Sequence, residues 1–335
     1  MSYKNVEEAI NNAYGLEDDG EYTKALEVWN SGFDCFTEEQ LNEYKFDIYC
    51  GRIWIHYMMK NSEGFINNII EAVENEIICP QWMFEYKGNE DYEVFLRLWQ
   101  GDYRYGKTKE KNDLLRVERQ KITKFKYNIY FPKEYDCNKK YPLFIAMHGD
   151  GDNIKSFIKE WKAEMFLSRG YIVVYAQSSQ VYNHKGFSWI SNLDIARNDI
   201  SGLYQELKKQ CFINEECVIL GGFSGGAVAA IDIVMEGVIP IKGLISICPE
   251  RKPKSVTISS IKDALCRKVK LVFMEGENSL PVKAQEEMLE MFKNTGIPCK
   301  YYINKGLEHE IPNDLDYKLD EVLDFIYNED ANEKI

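Results

Sequence analysis

One stretch constrains this chain more than any other: Cys217-Val-Ile-Leu-Gly-Gly-Phe-Ser-Gly-Gly-Ala-Val-Ala-Ala230. Its short, unbroken apolar start fits a strand covered on both faces. Its end, rich in alanine, fits a helix that lies close against a sheet. Between them Gly222-Phe223-Ser224-Gly225-Gly226 supplies the pattern G-x-S-x-G. On a strand–turn–helix, glycines flank the serine because backbone and helix come too close for side chains. The expectation is a strained Ser224 with its hydroxyl projecting from the end of the strand.

The neighbouring sequence supplies the rest of such a sheet. Short apolar runs recur at Pro142 to Met147, Tyr171 to Ala176, Gly243 to Cys248, Val269 to Met274 and Lys300 to Ile303. Leu114 to Arg119 and Lys124 to Tyr130 read as an opening pair of strands. Amphipathic stretches such as Ile154 to Leu167 and Ile195 to Leu207 separate the runs. Strands alternating with helices predict a mostly parallel sheet covered by helices on both faces. Ligands on such sheets bind at the carboxyl ends of the strands.

The first third is different. Val6, Ile10, Ala13 and Tyr14 recur at helical spacing, as do Ala25, Leu26, Trp29 and Phe33. Asp18-Asp19-Gly20 stops one helix before the next begins. Further helices are expected from about Thr37 to Met59 and from about Ser62 to Ile77. Gly20-Glu-Tyr-Thr-Lys-Ala-Leu26 resembles the turn of a tetratricopeptide repeat, and the helix pairs begin roughly 34 residues apart. A helical cap on the other domain is an equal alternative. The polar run Gly101 to Lys111 reads as a solvated linker. The division expected is an all-α domain over residues 1–110 and an α/β domain over 111–335.

Charge and cysteine content exclude several function classes. The 335 residues carry a formal net charge of −13, which opposes binding to nucleic acid or anionic membranes. None of the nine cysteines has C-x-x-C spacing, so free, mostly buried thiols are expected rather than a zinc ribbon or redox motif. The N-terminus lacks a signal-peptide apolar region. No stretch reaches the ~18 apolar residues of a membrane span. A cytoplasmic protein is expected.

Two further motifs lie at strand ends. His148-Gly149-Asp150-Gly151-Asp152-Asn153 follows the strand ending at Met147. In a fold with this serine turn, that loop donates one backbone N–H to an oxyanion, and the residue after the serine donates the other. The expected donors are Asp150, through its backbone, and Gly225. His148 is expected to pin the loop, and the spacing of Asp150 and Asp152 fits no metal motif. Lys305-Gly-Leu-Glu-His-Glu-Ile-Pro312 follows the last strand. A histidine there, last in chain order, is where a general base belongs. His56 lies in the helical region and His184 in a loop, which leaves His309. Phe223, Trp189, Tyr182 and Leu280 are candidates to line a substrate pocket.

Together, Tyr141-Pro-Leu-Phe-Ile-Ala-Met-His-Gly149, Gly222-Phe-Ser-Gly-Gly-Ala227 and Gly306-Leu-Glu-His-Glu-Ile-Pro312 resemble the carboxylesterase and acyl-protein thioesterase group of α/β-hydrolases. They are similar also to the feruloyl esterases and polyester depolymerases. The resemblance spans roughly Leu114 to Tyr327. It implies hydrolysis of a carboxylic ester or thioester through an acyl-serine intermediate on Ser224, without metal or cofactor, on a small-molecule substrate.

The acid of the triad breaks the pattern. The family places an aspartate after the penultimate strand, in Gly-x-x-Asp, where this chain has Gly276-Glu-Asn-Ser279. Three explanations stand open. Another carboxylate substitutes, either Glu250 at the end of the preceding strand or Glu277 on the same loop. Alternatively Ser224 and His309 work with only Ser279 or Asn278 beside the imidazole. In the third, the fold is kept as an adaptor that binds a protein partner through its helical domain.

Overall fold

The computed structural model describes residues 3–85, 90–279 and 282–328. The chain divides into two compact units. One comprises Met1–Ile122 with the short segment Tyr182–Lys185, and the other Thr123–Val181 with Gly186–Ile335.

The first unit is helical: α1 (Val6–Asp18), α2 (Tyr22–Ser31), α3 (Glu38–Asn42), α4 (Lys45–Met58), α5 (Ser62–Glu74), α6 (Glu90–Gly101) and α7 (Tyr105–Ile122). Asn5 caps α1 by accepting from the Glu8 N–H, and Glu7 and Glu8 occupy its first turn, where the helix dipole favours negative charge. Gly20, at φ +74°, turns the chain out of α1 at the expected stop. Trp29 is fully buried among α1, α2 and α4. Gly51 makes that possible, because a Cβ there would lie 2.4 Å from the indole. A second apolar cluster joins Phe65, Ile69 and Val73 of α5 to Phe95 and Trp99 of α6.

The last helix corrects two expectations. Gly101 to Lys111 is not a linker, and Leu114 to Arg119 is not a strand, because α7 runs continuously through most of both. Its lysines, glutamates, arginines and leucines are strong helix formers. The apolar residues that suggested a strand, Leu114 and Val117, face solvent. Tyr105 and Leu115 pack on the second apolar cluster, and a polar contact adds to this: buried Asn112 accepts from the Cys79 N–H at 2.8 Å and donates to its carbonyl at 3.1 Å.

The second unit is built on a seven-stranded sheet of order β1-β3-β2-β4-β5-β6-β7. The strands are β1 (Lys126–Tyr130), β2 (Tyr141–Met147), β3 (Ile172–Gln177), β4 (Ile213–Phe223), β5 (Gly243–Ile247), β6 (Lys270–Gly276) and β7 (Cys299–Asn304). β1 pairs antiparallel with β3, and every other pairing is parallel. The helices are α8 (Ile154–Glu160), α9 (Glu164–Leu167), α10 (Leu193–Gln210), α11 (Gly225–Glu236), α12 (Ile258–Cys266), α13 (Val282–Thr295) and α14 (Leu315–Tyr327).

Alternation along the strands explains why the runs are apolar throughout. Leu143, Ile145 and Met147 face one core with α10 to α13, through side chains such as Ile200, Ala229, Ile261 and Phe292. Phe144 and Ala146 face the other with α8, α9 and α14, through Phe157, Phe166 and Val322. The two-sided burial of a parallel sheet leaves little place for polar residues in strand interiors. The loops after β2, β4, β5, β6 and β7 leave the sheet at its carboxyl end, and they carry His148, Ser224, Cys248, Ser279 and His309.

Candidate active site

Ser224 stands between β4 and α11 at φ +52°, ψ −119°. A non-glycine residue in such a region costs of order 1–3 kcal/mol and persists only where its surroundings enforce it. Here they do. The Ser224 N–H donates to the Ile247 carbonyl at 2.9 Å, and its own carbonyl accepts from Val228 in the first turn of α11. A Cβ on Gly222 would lie 2.4 Å from the Gly226 carbonyl, and one on Gly226 would lie 2.3 Å from that of His148. Glycine is therefore required on both sides by close backbone approach, as the motif predicts.

The β2 loop lies against the same turn. His148 is fully buried; its Nε2 accepts from the Ser178 N–H at 3.3 Å, which leaves Nδ1 to donate to the Gly149 carbonyl at 2.7 Å. Burial pushes the imidazole down to about 4, so it is neutral and structural. The Asp150 carboxylate accepts from Ser188 Oγ at 2.9 Å and from the Trp189 N–H at 3.1 Å. It rests on Gly225, where a Cβ would be 2.4 Å from its Oδ1. Burial, chiefly, pushes this carboxyl up to about 6. Among the described residues, neither the Asp150 nor the Gly225 backbone N–H has a protein acceptor.

His309 is delivered by the loop after β7, which crosses the loop after β6. Gly276 is where they touch: a Cβ there would be 2.0 Å from the Glu308 carbonyl. The Asn278 N–H donates to the Leu307 carbonyl at 2.9 Å, and the Glu277 N–H to Asn304 at 3.0 Å. The His309 ring lies 5.1 Å from the Phe223 ring, centre to centre. His309 is exposed, yet enough protein surrounds the imidazole that desolvation lowers its pKa.

The group facing His309 Nδ1 is the Ser279 hydroxyl, at 3.4 Å. Neither glutamate expected as a substitute acid bonds to the imidazole among the described residues. Glu277 instead accepts from the Gly306 N–H at 3.0 Å, which commits it to the turn after β7. Glu250 is half-buried, with its pKa raised by burial. What the sequence reading missed is Glu275, the buried penultimate residue of β6, whose Oε2 accepts from Gln285 and whose Oε1 has no partner at hydrogen-bond distance. A carboxylate closing an apolar strand, Val-Phe-Met-Glu-Gly276, was the available signal.

The four proposed pocket residues separate. Phe223 and His309 line a cavity of about 560 Å³ whose wall mixes apolar Met165 and Ile311 with charged Lys159, Glu160, Lys162 and Glu310. Trp189 does not line it: the indole is fully buried in the core, 5.4 Å from the His148 ring. Tyr182 groups with the helical unit. Leu280 lies outside the described residues. A larger cavity of about 750 Å³ sits at the amino ends of the strands, near Cys217, Lys242 and Arg267, away from the loops that carry Ser224 and His309. All nine cysteines are free thiols. Among the described residues no three His, Cys, Asp or Glu side chains group as a metal site, and no helix is long and apolar enough to cross a membrane.

A mostly parallel sheet with helices on both faces, and a strained serine at the end of its central strand, defines an α/β-hydrolase fold preceded by a helical region. Residues 135–329 match the phospholipase/carboxylesterase family, and the chain belongs to it. It is therefore a hydrolase of an ester-cleaving family. Over 98% of its length it is similar to the crystal structure of an uncharacterized protein from Bacillus cereus, at 20% identity and TM-score 0.51, covering 99% of that chain. A ferulic acid esterase matches 60% of this chain and 91% of its own, at 14% identity and TM-score 0.50. At these identities the likeness is one of fold. A probable dipeptidyl-peptidase 5 of Aspergillus terreus is 39% identical over 54 residues, 16% of this chain. The matched segment spans only 8% of that relative's length.

Proposed function

We propose that the chain hydrolyses a carboxylic ester or thioester through an acyl-serine intermediate on Ser224. The observation that carries this reading is the backbone of Ser224, held at φ +52° between β4 and α11. His309 takes the serine proton as Oγ attacks the acyl carbon, then returns it to the leaving alcohol or thiol. Water repeats the sequence to release the acid. The free N–H groups of Asp150 and Gly225 hold the negative oxygen of the tetrahedral intermediate. The Phe223 cavity takes part of a small-molecule substrate, with Phe223, Met165 and Ile311 offering apolar contact and Lys159, Lys162, Glu160 and Glu310 offering charged contact. Expected donors, base and nucleophile all come from this chain, as the family resemblance implies for a reaction without cofactor.

Turnover of short p-nitrophenyl esters tests the reading. Ser224→Ala is expected to lose about 10³-fold or more in kcat with an unchanged far-ultraviolet spectrum, and undiminished turnover in that variant would overturn it. Ser279 at the position of the family's acid supports a second reading, a hydrolase fold kept as an adaptor that binds a protein through its helical unit. That reading expects no ester turnover and partner binding indifferent to Ser224→Ala.

A further inference from the structure

The missing aspartate leaves a specific physical problem. An imidazole that accepts a proton becomes a cation, and a serine hydroxyl beside Nδ1 can orient the ring but cannot neutralise it. A carboxylate does both in the usual triad, and losing it there lowers turnover about 10⁴-fold. Directly behind Ser279, however, lies a carboxylate that the family's motif does not include.

Glu275, the penultimate residue of β6, has only 3% of its surface exposed, and Ser279 is 4% exposed. The two are joined by a tight turn in which the Ser279 N–H donates to the Gly276 carbonyl at 3.0 Å. Oε2 of Glu275 accepts from Gln285, whose amide also donates to the Pro249 carbonyl at 3.0 Å. Oε1 is buried and has no partner at full hydrogen-bond distance. Burial raises the carboxyl's pKa, while Ser279, Gln285 and the Cys248 thiol oppose that rise. Among the described residues, Tyr301 of β7 is a further titratable group close to it, its own pKa raised by burial and by this carboxylate. Among the described residues, no lysine or arginine contributes to its charge balance.

We infer that Glu275 is a positioning residue for His309, acting through Ser279 as a bridging hydroxyl. His309 Nδ1–H donates to Ser279 Oγ, and the Ser279 hydroxyl donates in turn to Glu275 Oε1. A hydroxyl has one donor and two acceptor sites, so it can serve both neighbours at once. No proton crosses the bridge. Nδ1 keeps its hydrogen, Glu275 stays ionised, and its charge stabilises the imidazolium that forms when Nε2 takes the Ser224 proton. The orphaned Oε1 is then the acceptor that this bridge fills. Through-space attraction weakens with the extra distance, so the device is weaker than a directly bonded aspartate. The inference rests on the proposed roles of Ser224 and His309.

The test compares pH profiles of kcat/KM on a p-nitrophenyl ester for wild type, Glu275→Gln, Ser279→Ala and Ser279→Asp, with thermal midpoints recorded for each. Glu275→Gln is expected to lower kcat 10- to 100-fold with KM changed less than threefold, and to move the acid limb assigned to His309 to lower pH. Ser279→Ala should do the same. Ser279→Asp should restore or exceed wild-type kcat, and in that background adding Glu275→Gln should cost less than threefold. A merely structural Glu275 would leave the acid limb in place and would be equally costly beside Asp; either result overturns the inference. If Ser224→Ala abolishes turnover while Glu275→Gln leaves kcat and the acid limb unchanged, this inference fails and the acyl-serine reading stands. If Ser224→Ala is undiminished, both fail.

Discussion

At the scale of single residues, close backbone approach decides the site. Gly222, Gly226 and Gly276 are each sealed by a carbonyl within 2.4 Å of where a Cβ would sit, so two loops and a helix meet without side chains between them. Asp150 shows what such crowding costs a charged group. Its folded carboxyl is pushed up to about 6 from an ordinary 3.8, mainly by burial. Between those values the folded state binds the proton and the unfolded chain has released it, so stability falls as pH rises from about 4 to about 6. The size is on the order of 3 kcal/mol. Urea unfolding at pH 4 and pH 6.5 should show wild type losing about that much more than Asp150→Asn. Equal losses in the two proteins would mean that Asp150 titrates normally in the folded state. His309 carries another lesson: chain order placed it after the last strand, and Ser279, one of the partners the sequence left open, is the group that faces its Nδ1. Ser279 was visible as a departure from the motif, whereas the route from Ser279 to Glu275 runs backwards through a turn that motif spacing does not encode.

At the scale of elements, the parallel strands were legible because two-sided burial leaves an unmistakable apolar run. The runs Pro142 to Met147 and Gly243 to Cys248 became β2 and β5 with ends shifted by one residue. Longer helical readings broke where local packing intervened: Ile154 to Leu167 divides into α8 and α9 around buried Trp161, and Thr37 to Met59 into α3 and α4. The misread element is α7, where Leu114 and Val117 face water, Tyr105 and Leu115 are only partly buried, and the buried residues are Thr108 and Asn112. Hydrophobic periodicity cannot reveal a helix anchored that way, although intrinsic propensity does. Exposed Glu118 lies in the interior of α7, so Glu118→Pro removes a helical hydrogen bond and should cost about 3 kcal/mol. Chemical denaturation reads this directly, and a loss below about 1 kcal/mol would be inconsistent with a continuous helix over Tyr105–Ile122.

At the scale of the whole molecule, a helical unit with its own apolar clusters accompanies an α/β-hydrolase unit whose family membership covers residues 135–329. The catalytic proposal is confined to the second unit: Ser224, His309, Asp150, Gly225 and the Ser279–Glu275 pair all belong to it. The net charge of −13 is a property of the full chain and enters none of these contacts. The measurement that reaches the central claim most directly is covalent trapping of the whole protein with a fluorophosphonate, followed by intact mass and peptide mapping. The account predicts one phosphonyl adduct per chain, located on Ser224 and absent from Ser224→Ala. A folded wild-type chain that takes up no adduct, or one labelled equally in Ser224→Ala, would contradict it.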